Sequence, residues 1–442
     1  MPDNVLHEAP RGLVIAAPSS GAGKTTLTLG LLRALKRAGT RVVSAKSGPD
    51  YIDPKFHEAA SGAPCINLDA WAMYPGTVRA LAAAQTSEQD LLILEGAMGL
   101  FDGAANGRGS VADLAALLNL PVVLVVDCAK QAQSVAALVH GFSSYRKDIA
   151  LKGVVLNRVG SHRHEKMLRT ALEPVGVTVL GALPRASELV LPERHLGLVQ
   201  AGEHRDLETF LQQAADLCER HIDLVSLQGL ASGLDTSSEP PVHLPSPLGQ
   251  RIAVARDLAF AFSYPHLLNH WRAQGAELSF FSPLANERPD PDANAVYLPG
   301  GYPELHADRL SNAETFRTAM NQAAGSGTLI YGECGGYMTL GTGLTDAEGH
   351  RHEMLGLLPL ETSFQARKRH LGYRMVQPLG GLPWDEPLSA HEFHYASIVS
   401  EGQADRLFDA KDAEGNQLAE MGLRRGAVLG SFAHVISCAA SW

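Results

Sequence analysis

Two segments of this 442-residue chain carry more reactive chemistry than packing requires. In the later one, Tyr331-Gly332-Glu333-Cys334-Gly335-Gly336-Tyr337-Met338, a cysteine stands between glycines just after the apolar run Thr328 to Tyr331. At a sharp strand-to-helix turn a thiol stands clear of its neighbours, close to backbone N–H groups that can hold an oxyanion. A helix N-terminus would also lower the thiol pKa. The matching base is His434, in Gly430-Ser431-Phe432-Ala433-His434, which closes a strand-like run near the end of the chain. Gly300 and Gly301, after the run Ala295 to Leu298, supply a second oxyanion donor through Gly301, with Gly335 as the first. A buried cysteine is more often a small hydrophobe, and that reading suits Cys65, Cys128, Cys218 and Cys438.

The earlier segment is Pro18 to Thr26, placed directly between a strand-like run and a helical one. Small residues here let the backbone N–H groups of Ser20, Gly21, Ala22, Gly23, Lys24, Thr25 and Thr26 turn toward phosphate oxygens. Lys24 can reach the β and γ phosphates of ATP, and Thr25 can hold Mg²⁺. Pro18 stands where the usual phosphate-loop pattern has glycine, and a plain glycine-rich turn is the bland alternative. Leu91 to Leu94 is a buried strand that ends in Glu95. At the carboxyl end of a parallel strand this acid faces the ligand crevice, as a metal ligand. Asp102, in the loop beyond, has three readings: metal ligand, group that positions a nucleophile, and loop-capping aspartate. Lys46, Asp50, Tyr51, Asp53 and His57 follow the strand Arg41 to Ala45 on the same side of the sheet. Asp50, Tyr51 and Ile52 form the expected substrate-binding stretch. Asn157, after Lys152 to Leu156, is placed either to read adenine or simply to turn the chain.

Short apolar runs alternate with helical stretches in both halves, so the fold class is α/β with mostly parallel sheets. Runs at Gly12 to Ala17, Arg41 to Ala45, Leu91 to Leu94, Pro121 to Asp127, Lys152 to Asn157 and Thr178 to Ala182 build a first domain over residues 1–223. A Ser/Pro/Gly-rich stretch over 224–250 reads as linker. Arg251 to Ala255, Glu277 to Phe281, Ala295 to Leu298 and Thr328 to Tyr331 open a second domain over 251–442. Hydrophobic residues make up 45% of the chain and charged residues 19%, which excludes wholesale disorder. No apolar run reaches the roughly 20 residues that span a bilayer. The N-terminus lacks a signal-peptide pattern, so a cytoplasmic protein without a membrane partner is expected. A net charge of -10 argues against a nucleic-acid partner, and five cysteines without a close pair fit reduced thiols.

The second half resembles a class I glutamine amidotransferase domain. Its LPGGYPEL, ECGGYM and SFAH segments are similar to the branch found in cobalamin biosynthesis. In the wider class a Glu lies two residues beyond the catalytic His, whereas this chain has Ile436. The resemblance therefore implies a Cys-His dyad, or an orienting group from elsewhere. The phosphate loop is similar to the variant of dethiobiotin synthetase-like enzymes. With GPDYIDPKFH, EGAMGLFDG, LNRVGSHRHE and LPERHLGLVQAGEH included, essentially the whole chain resembles the a,c-diamide synthases. These amidate two side-chain carboxylates of hydrogenobyrinic or cobyrinic acid, and the wording is nearer to the former.

That resemblance implies ATP, Mg²⁺ and glutamine as reactants, and it leaves a homodimer open. ATP would activate a corrinoid carboxylate as an acyl phosphate, with Asp102 among the catalytic residues. Ammonia released at Cys334 would then displace phosphate. Because the substrate is a polycarboxylate, its pocket should be locally basic; Arg185, Arg194 and His195 are the candidates, with solvated surface residues as the equal alternative. His391 and His394 are spaced for one face of a helix but opposite faces of a strand, which favours a structural role over a metal site. Two rivals remain at this level. A cobyric acid synthase would share the fold, and a non-catalytic partition-type ATPase would carry an extra lysine where this chain has Ser19 and Ser20.

Overall fold

The computed structural model describes residues 10–87, 90–186, 189, 193–194, 197–198, 200–203, 206–235 and 242–439. The chain divides into two compact units, Met1–Val242 and His243–Trp442.

The first unit is built on seven parallel strands. They are β1 (Arg11–Ala16), β2 (Val42–Ser47), β3 (Cys65–Leu68), β4 (Leu91–Glu95), β5 (Val122–Asp127), β6 (Leu151–Val159) and β7 (Thr178–Pro184). Their order is β3-β2-β4-β1-β5-β6-β7. The central strands Leu13 to Ala16, Leu92 to Leu94 and Val122 to Val126 are buried on both faces, so they read as unbroken apolar runs without alternation. The chain leaves β1 toward β2 on one side and later leaves β4 toward β5 on the other. The carboxyl ends of β1 and β4, side by side, therefore flank the crevice where such sheets bind ligands. Helices α1 (Lys24–Arg37) and α2 (Asp53–Ser61) start at this edge.

The expected linker is shorter than its composition suggests. Residues Leu224–Leu230 form a helix capped by Asp223, whose Oδ1 accepts from Ser226 N–H at 2.9 Å, and Leu227 is buried beneath it. Ser232–Gly233 then pairs antiparallel with Arg11 and Gly12 of β1. A seven-residue helix with one buried leucine gives too little periodicity to stand out from its polar surroundings. At the other end, Trp271 Nε1–H donates to Pro245 O at 3.1 Å and Ser437 Oγ–H donates to His243 O at 2.7 Å, which fastens 243–250 to the second unit.

The second unit carries a ten-stranded mixed sheet. Glu277–Phe281, Arg251–Ala255, Ala295–Leu298, Leu329–Glu333 and Val428–Ser431 run parallel. Met421–Arg425, Asp405–Asp412, His370–Pro378, Leu388–His394 and Ala433–Cys438 continue it antiparallel. Alternation divides each inner strand between two cores. Ala253 and Ala255 face Phe316 and Met320, whereas Ile252 and Val254 face Trp271 and Trp384. Among the described residues no helix is long and apolar enough to cross a membrane.

Candidate active sites

The phosphate loop leaves β1 and closes on α1. Gly23 caps that helix at φ +91°, and a Cβ there would lie 2.3 Å from Asn157 Nδ2, so both conformation and space require glycine. Asn157 reaches across from β6, its Nδ2 donating to Ala22 O at 2.8 Å and its Oδ1 accepting from Arg158 N–H at 2.9 Å. It therefore clamps the loop from behind. Ser20 and Gly21 are exposed, Ala22 is buried, and Gly23, Thr25 and Thr26 are half-buried. Lys24 Nζ–H donates to Met98 O at 2.5 Å. Burial lowers its pKa, against the opposing pull of Glu95.

Thr25 points its hydroxyl into an acidic cluster. Its Oγ1–H donates to Glu95 Oε1 at 2.7 Å, with Asp53 Oδ2 3.4 Å away. Lys46 Nζ bridges the same two carboxylates, 2.6 Å from Asp53 Oδ2 and 2.7 Å from Glu95 Oε1. Behind Glu95, His57 Nε2 lies 2.7 Å from Oε2, and Cys65 Sγ lies 3.6 Å from His57 Nδ1. Burial alone would raise the Glu95 pKa, but Lys46 and His57 override it and hold the carboxyl well below the usual range. Burial would likewise lower His57, yet Cys65 and Glu95 carry it up to about 10. Three hard oxygen donors, from Thr25, Asp53 and Glu95, converge where an ammonium already sits, and such a donor set fits Mg²⁺.

Asp50 lies at the edge of this cluster. Its Oδ1 accepts from Ile52 N–H at 2.9 Å and Asp53 N–H at 3.0 Å, which starts α2, while Oδ2 lies 3.9 Å from Lys46 Nζ. Burial and the neighbouring Asp53 raise its pKa to about 6. Tyr51 is half-buried. Ile52 is buried, 7% exposed. Asp102 is exposed, and its Oδ2 accepts from Gly99 N–H at 3.0 Å, the loop-capping contact read as one alternative. It also interacts electrostatically with Lys24.

On the other side of the loop lies a cavity of about 360 Å³. Gly23, Thr26 and Asn157 line its phosphate-side wall, and Leu27, Leu183 and Leu217 line its apolar wall. An apolar slot beside a phosphate loop has the shape and chemistry to take a nucleobase. Arg185 lines it too, with Nη2–H donating to Ala129 O at 2.9 Å. His195 and the side chain of Arg194 lie outside the described residues.

In the second unit, Cys334 follows the strand Leu329–Glu333 and caps the helix Gly335–Leu340 at φ +46°, ψ -101°. So rare a backbone conformation for a residue with a side chain is the signature of a strained nucleophile turn. Three glycines make the turn possible: a Cβ on Gly336 would stand 1.9 Å from Leu298 O, one on Gly335 would stand 2.9 Å from Gly301 N, and one on Gly332 would stand 2.8 Å from Gly336 C. Gly301 and Gly335 are thus brought together beside the thiol, as an oxyanion pair requires. His434 arrives through strand pairing. Cys334 N–H donates to Ser431 O at 2.8 Å, three residues before the imidazole, and a Cβ on Gly300 would lie 2.3 Å from His434 Cε1.

The electrostatics differ from expectation. Cys334 is 3% exposed, and burial, with Glu304 next, pushes its thiol well above the ordinary range despite the Gly335 N–H. A six-residue helix adds too little to overcome burial beside carboxylates. Burial also lowers His434 to about 3. Both shifts favour the uncharged thiol and imidazole over an ion pair. Glu333, absent from the expected site, is buried against it with Oε2 3.8 Å from His434 Nδ1.

His391 and His394 lie in the strand Leu388–His394. His394 is fully engaged, Nδ1 with Ala396 O at 3.0 Å and Nε2 with Glu392 Oε1 at 2.9 Å, and Arg374 Nη2 holds Glu392 Oε2 at 2.8 Å. His370, Glu392 and His394 place ligand atoms within 4.8 Å, but the two rings stack at 4.6 Å and 7°. The stacking of His370 and His394 and the hydrogen bonds of His394 tie these side chains into the strand pairing.

Residues 251–442 match the model of the CobB/CobQ-like glutamine amidotransferase domain, and 13–199 that of the CobQ/CobB/MinD/ParA nucleotide binding domain. Hydrogenobyrinate a,c-diamide synthase of Brucella suis is 64% identical over 430 residues, covering 96% of this chain and 98% of that protein. The chain belongs to the hydrogenobyrinate a,c-diamide synthase family. Members from Rhizobium meliloti, 60% identical over 96% of this chain and 99% of theirs, and Mesorhizobium japonicum, 50% identical over 98% and 99%, extend the match. The family pairs a nucleotide-binding unit with a glutamine amidotransferase unit, and the two sites above fall one in each matched region.

Proposed function

We propose that this protein amidates the a and c side-chain carboxylates of hydrogenobyrinic acid, consuming one ATP and one glutamine for each amide. The observation that supports it most is the coexistence, in one family chain, of the Lys24/Thr25 phosphate loop and the Cys334/His434 turn.

In the first unit, the carboxylate oxygen attacks the γ-phosphorus of ATP, ADP departs, and ammonia then attacks the acyl phosphate carbon as phosphate leaves. Lys24 offsets charge on the γ-phosphate, and the loop N–H groups from Ser20 to Thr26 hold the chain of phosphates. Thr25, Glu95 and Asp53 would hold Mg²⁺, which supplies charge neutralisation at the phosphates when bound. Asp102 and the Asp50–Ile52 stretch flank the corrinoid carboxylate. Asn157 keeps the loop shaped against the nucleobase slot.

In the second unit, Cys334 attacks the glutamine side-chain amide carbon. With both groups shifted toward their neutral forms, the thiol proton passes to His434 during attack and from there to the departing ammonia, leaving a thioester that water hydrolyses. The N–H groups of Gly301 and Gly335 hold the oxyanion.

Hydrogenobyrinic and cobyrinic acids supplied side by side with ATP and glutamine provide the test. Diamide formed from hydrogenobyrinic acid, with ADP and glutamate released in step, is the expected result. Preference for cobyrinic acid, or nucleotide hydrolysis without amide, would overturn the assignment.

A further inference from the structure

We infer that Glu333, the residue immediately before the nucleophile, is the carboxylate that orients His434. This rests on the glutamine amidotransferase reading of the second unit. The position two residues beyond His434, where the wider class carries a glutamate, is Ile436, 1% exposed. It falls at the register shift of the strand Ala433–Cys438 and offers no side-chain acceptor.

Glu333 reaches the imidazole where the strand paired with its own, Val428–Ser431, leads straight into Ala433–Cys438. The strand Leu329–Glu333 pairs with Val428–Ser431, Glu333 opposite Ser431. Its Oε1 accepts from Val435 N–H at 3.1 Å, so the carboxylate is pinned to the residue next to the histidine. Tyr297 O–H donates to Oε2 at 2.7 Å and Tyr331 O–H to Oε1 at 3.2 Å. The remaining direction of Oε2 faces His434 Nδ1 at 3.8 Å, ion-pair range but longer than a hydrogen bond. Such contacts often tighten only in the substrate complex.

A second buried carboxylate, Glu392, also acts on His434 electrostatically. Its charge is already matched, by Arg374 at one oxygen and His394 at the other. The hydrogen-bond donors to Glu333 are all neutral, and among the described residues its only ion-pair partner is His434. Above its raised pKa of about 7 this carboxylate is ionised and uncompensated, and it favours Nδ1–H toward itself, which leaves the Nε2 lone pair for the thiol proton. It then stabilises the imidazolium formed during attack. Glu333 is thus a positioning residue.

The test uses the full-length protein. Glu333→Gln presents an amide N–H to Nδ1 and inverts the tautomer, so kcat for glutamine hydrolysis should fall roughly 100-fold or more while KM for glutamine changes less than about threefold. ¹⁵N NMR of the wild type should find His434 as the Nδ1–H tautomer, a reading that needs no variant should Glu333→Gln fail to fold. An Nε2–H tautomer, an unchanged kcat in Glu333→Gln, or a change confined to KM would overturn the inference. Absence of glutamine hydrolysis by the wild type would instead defeat the amidotransferase reading itself.

Discussion

Lys46 Nζ lies 2.7 Å from Glu95 Oε1 with both side chains shut away from solvent. Such a pair costs heavily in desolvation and is most demanding when one member is removed. Lys46→Met should therefore destabilise the protein by about 3 kcal/mol, softened by the remaining His57 contact. It should also end synthesis with either nitrogen source. Urea unfolding and ammonia-dependent amidation check the two halves of this prediction; unchanged stability would show that the ammonium does not neutralise Glu95.

Cys334→Ser should lose glutamine-dependent synthesis and retain most activity with ammonium salts, since the thiol belongs to a separate site. Parallel rates with the two nitrogen sources decide it, and loss of both would mean that the residue does more than release ammonia.

Lys24→Ala and Glu95→Gln should show the converse pattern. Neither variant should amidate with glutamine or ammonia, while basal glutamine hydrolysis persists, because activation of the carboxylate precedes any nitrogen chemistry. Amidation at the wild-type rate would remove the phosphate loop from the mechanism.

Asp102→Asn keeps size and removes charge. Turnover should fall more than ATP affinity, and monoamide should accumulate as the intermediate is repositioned less well for its second amidation. Product masses over a time course, with nucleotide affinity alongside, test this; a defect confined to ATP binding would contradict it.

Stability should carry a pH signature from Glu333. Burial raises its pKa from 4.5 to about 7, over the opposing hydrogen bonds from Tyr297 and Val435. Between these values the folded protein keeps a proton that the unfolded chain has lost, so this group's contribution falls as pH rises, on the order of 3 kcal/mol in all. His434, lowered to about 3, acts in the opposite sense, gaining stability up to its ordinary value near 6.5. The difference between wild type and Glu333→Gln isolates the glutamate term, and wild type should lose stability relative to the variant from pH 4.5 to 7.5. A pH-independent difference would contradict a raised carboxyl.

Much of the fold was legible because buried parallel strands leave apolar runs that need no context. Glu95 and Thr25 could be matched because each ends a strand or opens a helix at the ligand edge. Cys65–Leu68 escaped notice because four residues with Asn67 inside make a weak run. Asp53 as a third oxygen donor could have been found from its position at the start of α2, seven residues beyond Lys46, but only the fold closes Lys46 onto Glu95, forty-nine residues apart. Glu333 was hidden for a different reason. A side chain adjacent to a nucleophile in sequence points away from it in a strand, and only the pairing with Val428–Ser431 brings round the next strand, which carries the histidine. The upward shift of the thiol was not legible because glycines announce a turn and say nothing of the burial and the carboxylates around it.

The burial of Cys334 has a consequence for the life of the protein in an oxidising or electrophile-rich medium. Peroxides and alkylating agents react with thiolates, and a cysteine held as a shielded thiol offers them almost none. At 3% exposure and with its pKa raised by burial, the thiol would keep its reactivity for a molecule that enters the pocket and draws the proton onto His434.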